Sequence, residues 1–135
     1  MPATTDLPTQ LKFTLGGYLA ECHEAEWQRG KLWYRRAAGA YLWQPAVELT
    51  PTPEAWTRFW RTMETVGVWQ WQKDYQDNSI CDGTQWSLKL HHRERKVRCE
   101  GSNAYPGSTG PDYSPTGDFA HFLQALRLLT GQAAI

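Results

Sequence analysis

Leu11, Phe13 and Leu15 alternate with polar residues, the period of a strand that buries one face. Gly16-Gly17 interrupts that strand as a tight turn or a bulge, after which Tyr18 to Cys22 continues extended. Gln28-Arg29-Gly30-Lys31 spells a turn, and an aromatic-rich strand follows over Leu32 to Ala37. Tyr41 to Leu49 is a third extended piece, interrupted by Pro45 and therefore placed at a sheet edge or broken there. The period then lengthens. Trp56, Phe59, Trp60, Met63 and Val66 recur at helical spacing, with Thr52 as N-cap, Pro53 at the first helical position, Glu54 at the positive end of the dipole and Gly67 closing the C-terminus. A second helix follows the same grammar: Thr116 or Asp118 caps it, Phe119, Phe122, Leu123, Leu126 and Leu129 form its stripe, and Gly131 stops it.

Between the helices lies a hairpin whose register is readable from the sequence. Trp86, Leu88 and Leu90 alternate with Gln85, Ser87 and Lys89, and Val97 and Cys99 resume the buried parity beyond a charged turn at Arg93-Glu94. Opposed residues of an antiparallel pair share a face, so an even loop with His91 opposite Lys96 brings Leu90 against Val97 and Leu88 against Cys99. An odd loop would set buried residues against exposed ones. The order strands, helix, hairpin, helix, with antiparallel signals, predicts an α+β fold: a twisted antiparallel sheet with two helices packed on one face. It also hints at two half-domains, each a meander followed by a helix. Residues 1–9, rich in Pro and Thr, form a flexible N-terminal arm, and 10–135 form a single domain.

Composition adds exclusions. With 135 residues, 14 basic and 14 acidic side chains, the chain has no global field for nucleic acid or an anionic membrane. No apolar run approaches a bilayer's thickness. The first residues have neither a basic nor an apolar leader region, and the three cysteines (Cys22, Cys81, Cys99) are unpaired by spacing, so a cytoplasmic protein with reduced thiols is expected. Eight tryptophans exceed what one small core needs. Trp56, Trp60 and Trp86 fit the core, Trp27, Trp33 and Trp43 fall in the N-terminal strands, and Trp69 and Trp71 share a face if their segment is extended. At least two are expected to be partly exposed, where Trp and Tyr favour binding surfaces.

The string Trp69-x-Trp71-x-x-x-Tyr75, then Asp82-Gly83-Thr84-Gln85-Trp86-Ser87-Leu88, Gly101-Ser102-Asn103-Ala104-Tyr105-Pro106 and Phe119-x-x-Phe122-Leu123, resembles an uncharacterised family of small bacterial proteins. The likeness spans residues 66 to 130, and the two middle boxes are specific as a pair. It implies a bacterial cytosolic domain with no established activity, and it transfers no catalytic residue. The Gly/Pro/Ser stretch from Gly107 to Pro115 is longer than the motif needs.

Candidate chemistry is sparse. Asp82-Gly83 makes a turn, with a carboxylate presented beside Trp86 as its functional alternative. Gly101 and Asn103 both suit left-handed conformations, and Asn103 either pegs the loop or hydrogen-bonds a ligand held against Tyr105. Lys89, Arg93, Arg95, Lys96 and Arg98 make a basic hairpin that, flanked by aromatic rings, would hold a single-stranded nucleic acid; basic residues also keep an exposed turn unpaired. His91 and His92 point to opposite faces of a strand and cannot chelate one metal, and the cysteines have no metal-ligand spacing. Cys22-His23 adjacency does not make a nucleophile and base. Cys99 reads as a small core residue and His121 as a surface one. No pattern asks for a cofactor or spells out a reaction. The reading is a non-enzymatic cytosolic interaction module that binds a protein partner, or itself as a homo-oligomer, through an aromatic surface near Trp69, Trp71 and Tyr75. The rivals are single-stranded nucleic-acid binding by the basic hairpin, and a small-ligand or hydrolytic site at Asp82, Asn103 and Tyr105.

Overall fold

Leu11 and Phe13 are buried on one side of β1 (Gln10–Gly16), and this strand lies at the centre of a seven-stranded sheet. The computed structural model describes residues 7–17, 21–39, 42–76, 84–102, 104–106 and 117–132. The other strands are β2 (Cys22–Gln28), β3 (Lys31–Ala37), β4 (Val47–Leu49), β5 (Asp74–Gln76), β6 (Gln85–His92) and β7 (Arg95–Ser102), in the spatial order β4-β3-β2-β1-β6-β7-β5. The helices are α1 (Pro53–Val66) and α2 (Gly117–Thr130). The class is α+β with a mostly antiparallel sheet; the one parallel pair is β5 with β7.

Local chemistry accounts for the joints. Arg29 and Gly30 both take positive φ (56° and 75°), the signature of the two-residue turn that matches strand twist, and they set Gln28 opposite Lys31. In the second hairpin Arg93 has φ 59° and the register is Leu90 opposite Val97, Leu88 opposite Cys99 and His91 opposite Lys96, the even register expected. The Thr52 hydroxyl accepts from the Ala55 N–H at 3.1 Å, Pro53 occupies the first position of α1, and Gly67 ends it in a left-handed conformation. Gly131 (φ 70°) ends α2, its N–H donating to the Arg127 carbonyl.

Three expectations are corrected. Asp118 lies inside the first turn of α2 rather than capping it, where its charge still suits the dipole; the alternative cap, Thr116, lies outside the described residues. Residues 18–20 lie outside the described residues, and of the two alternatives at Gly16-Gly17 the turn fits, since β2 begins at Cys22 and pairs antiparallel with β1. Its hydrophobic positions are few, so Cys22–Gln28 carried no strong strand pattern. Trp69 and Trp71 are not neighbours on a strand, because Val68–Gln70 is a short 3-10 turn. Finally, Gly101 is not in a left-handed conformation but within β7. A Cβ at Gly101 would lie 2.6 Å from Cε2 of the Trp86 indole and 2.7 Å from the Ala104 carbonyl oxygen, so close approach, not backbone torsion, requires glycine there.

The core lies on one face of the sheet. Phe13 meets Phe119 and Phe122 of α2, at ring separations of 6.3 and 5.1 Å. Trp27, which shares the face of Phe13 by register, meets Trp56 of α1 at 5.6 Å. Phe119 is fully buried among Phe13, Trp71, Trp86, Tyr105 and Phe122. Each such ring contributes on the order of 1.5–3 kcal/mol by leaving water.

Candidate functional site

The two sequence boxes meet, and they meet in the core. Trp86 sits opposite Gly101 and its indole N–H donates to the Ala104 carbonyl at 2.9 Å. Tyr105 is buried, hydrogen-bonded to the Thr84 side chain and 4.9 Å from the Phe119 ring; burial raises its phenol above the ordinary range, with the Thr84 hydrogen bond opposing. The pair of boxes is therefore a staple that fastens the end of the β6–β7 hairpin to α2. Asp82, Asn103 and the Gly107–Pro115 stretch lie outside the described residues.

Trp69, Trp71 and Tyr75 flank this staple, each half-buried and packed against the core. The Trp71 ring lies 5.4 Å from Phe122 and its N–H donates to the Val66 carbonyl at the end of α1. Tyr75 is 5.8 Å from Trp86, and its hydroxyl accepts from the Gln72 N–H at 2.8 Å. Burial raises the Tyr75 phenol, the Gln72 hydrogen bond acting against it. Trp69 lies under the Arg95 guanidinium, 4.9 Å from the ring centre, and its buried N–H has no acceptor among the described residues. Trp56, Trp60 and Trp86 are buried as expected, and the other five tryptophans are partly exposed.

The basic hairpin is divided between faces. Arg95 turns toward α1 and pairs with Glu64, while Arg93 occupies the turn. Lys89, Lys96 and Arg98 share the opposite face, which no described helix covers. Register arranges that open face in rows across neighbouring strands. Gly16, Gln85, Ser102 and Gln76 form one row. Thr14, Ser87, Glu100 and Asp74 form the next, with the Thr14 and Ser87 hydroxyls 2.6 Å apart. Lys12, Lys89 and Arg98 form the third, and Gln10, His91 and Lys96 the fourth.

Two grooves run along these rows. One of about 430 Å³ is lined by Thr14, Gln76, Gln85, Ser87, Glu100 and Ser102 among others, with Trp43 on its wall. Another of about 400 Å³ is lined by Lys73, Ser87, Lys89, Arg98 and Glu100. They share Ser87 and Glu100 and are continuous through them. On the β2–β4 side of the face charges are matched instead: Arg35 binds Glu24 through two N–H···O contacts of 3.0 and 3.2 Å and covers the Trp43 ring at 4.3 Å, and Lys31 pairs with Glu48 at 3.3 Å. Lys12 reaches Glu26 at 3.9 Å. Among the described residues Lys89, Lys96 and Arg98 have no ion-pair partner.

No protein-family model matches the chain, and no curated protein and no solved structure matches it either. Functional assignment therefore rests on the geometry.

That geometry offers little to catalysis. His23 is buried on the helix side and hydrogen-bonded through Nδ1 to the Tyr34 hydroxyl at 2.6 Å. Burial lowers the His23 pKa and raises that of Tyr34. Cys22 occupies the other face, its thiol directed at the Gly17 carbonyl, so Cys22 and His23 form no dyad. Burial pushes the Cys99 thiol up to about 12, far from a thiolate nucleophile at neutral pH. His92 is buried against Trp60, ring centres 3.7 Å apart, while His91 lies on the open face. Among the described residues no three His, Cys, Asp or Glu side chains gather as a metal site. No described helix is long and apolar enough to cross a membrane.

Proposed function

We propose that this protein is a non-enzymatic interaction module that docks a protein partner on the open face of its sheet. The observation that carries the reading is the contrast of burial: one face is closed by two helices, while the other presents adjoining grooves and three cations without an ion-pair partner among the described residues. The aromatic trio Trp69, Trp71 and Tyr75 supports the closed side, so the docking surface moves to the rows of Thr14, Ser87, Glu100 and Lys89. A cytoplasmic setting fits the free, buried Cys99. Bacterial membership of the family that the motif pair resembles is compatible with this reading and adds no activity to it.

The test is capture on immobilised protein with three forms: wild type, the open-face block Q85W/E100W, and L128K on the exposed flank of α2. A specific partner that wild type and L128K retain and the block loses is the expected result. Equal retention by all three overturns the reading, as does a strictly monomeric protein that retains nothing specific.

A further inference from the structure

Resting on that docking face, we infer that the segment it receives is carboxylate-rich, read by the row Lys12–Lys89–Arg98. Like charges set directly opposite across strands cost stability, and a sheet normally avoids them or matches them. Here Lys12 faces Lys89, and Lys89 faces Arg98. Lys12 is tethered to Glu26, whereas Lys89 and Arg98 have no carboxylate within ion-pair distance among the described residues. The next row adds a further cation, Lys96. The same face matches Arg35 and Lys31 with carboxylates, so the unmatched row is a local departure and not the habit of this surface.

Geometry selects the class of anion. Strands are about 4.8 Å apart, so the row extends about 10 Å, a reach that two or three carboxylates of an extended segment span. The neighbouring row carries Glu100 and Asp74, about 7 Å further along the strands. A phosphodiester backbone crossing both rows would set phosphates against those carboxylates. Few rings are left for stacking: Trp43 is already covered by Arg35, the rings of Trp69, Trp71 and Tyr75 pack on the core side, and the half-buried Trp33 stands beyond Glu26, where a phosphate would meet another carboxylate. A peptide with carboxylates over Lys89 and Arg98 and amide or hydroxyl groups over Ser87, Gln85 and Ser102 meets both rows.

The probe is a fluorescent hexaglutamate peptide, with hexaglutamine and a thymidine oligonucleotide of equal charge as controls, followed by anisotropy at about 25 and about 150 mM salt. Binding of hexaglutamate but not hexaglutamine is expected, falling with salt. K89Q/R98Q should weaken it about tenfold or more, and K31Q, which breaks a matched pair on the same face, should leave it unchanged. K89Q/R98Q should unfold at or above the wild-type midpoint, so its lost binding is not lost folding. Absence of hexaglutamate binding at low salt, equal affinity in K89Q/R98Q, or tighter binding of the oligonucleotide overturns the inference. The docking face itself stands or falls separately, on whether Q85W/E100W releases the captured partner.

Discussion

The two faces of one sheet solve opposite problems with the same strands. On the helix side Leu11, Phe13, Trp86, Leu88 and Leu90 interlock with rings from both helices, and even the polar groups that enter (His23, Tyr34, the Trp86 N–H) are matched within the protein. On the open side the register lines up hydroxyls, amides and cations, and matching is complete only over β2–β4. The period-2 alternation that buries one set of side chains necessarily exports the other, so each residue of β6 and β7 belongs either to the helix-covered face or to the open one. Polar groups have internal partners on both faces, as at His23 with Tyr34 and Thr14 with Ser87, but the row of Lys89 and Arg98 has none among the described residues.

Substitutions should fall on one side or the other of that division. The largest loss is expected from Phe119→Ala, which removes the ring joining α2 to Phe13, Trp86 and Tyr105; about 3–5 kcal/mol should vanish from the urea-unfolding free energy. Gly101→Ala should cost about 1–3 kcal/mol by forcing Trp86 from the Ala104 carbonyl, with a red shift of tryptophan emission as the second readout. A smaller effect is confined to acid. The folded protein holds His23 below its ordinary pKa of 6.5, so the unfolded chain binds its proton first. Stability from this group is therefore complete above pH 6.5 and declines as pH falls below it toward the lower folded value. His23→Phe combined with Tyr34→Phe should flatten that part of the profile of unfolding midpoint against pH. Smallest of all, K89Q/R98Q should leave stability unchanged or raise it by a few tenths to about 1 kcal/mol, because it relieves like-charge opposition. A large loss there would erase the distinction between the faces.

Much of the helix-covered face was legible in the sequence, because burial imposes periodicity. The stripes of α1 and α2 and the pairing of Leu88 with Cys99 follow from spacing alone. β2 escaped for the same reason: His23, Ala25 and Trp27 fill its inward positions, and His23 is not a conventional core residue. The motif boxes were conspicuous but ambiguous. Asp-Gly and Gly-x-Asn are turn chemistry, yet Gly101 serves the width of an indole on the adjacent strand, a requirement visible only once Trp86 stands opposite it. The open face was the least legible region. Lys12 and Lys89 are far apart in the chain, and nothing local says that they will face each other; that depends on which strand β1 chooses as its second neighbour.

That choice also dictates when the molecule can form. β1 and β6 are joined by contacts such as Thr14 to Ser87, 73 residues apart, and this seam unites the β1–β4 and α1 half with the β6–β7 and α2 half. During synthesis the apolar side of β1 emerges long before its partner, and the ring that will cover Phe13 belongs to α2, near the end of the chain. Folding that must wait for so distant a partner is slow, since the loop-closure entropy is lost before the contacts repay it. The nascent N-terminal meander should thus remain unsealed on the ribosome until α2 has been made.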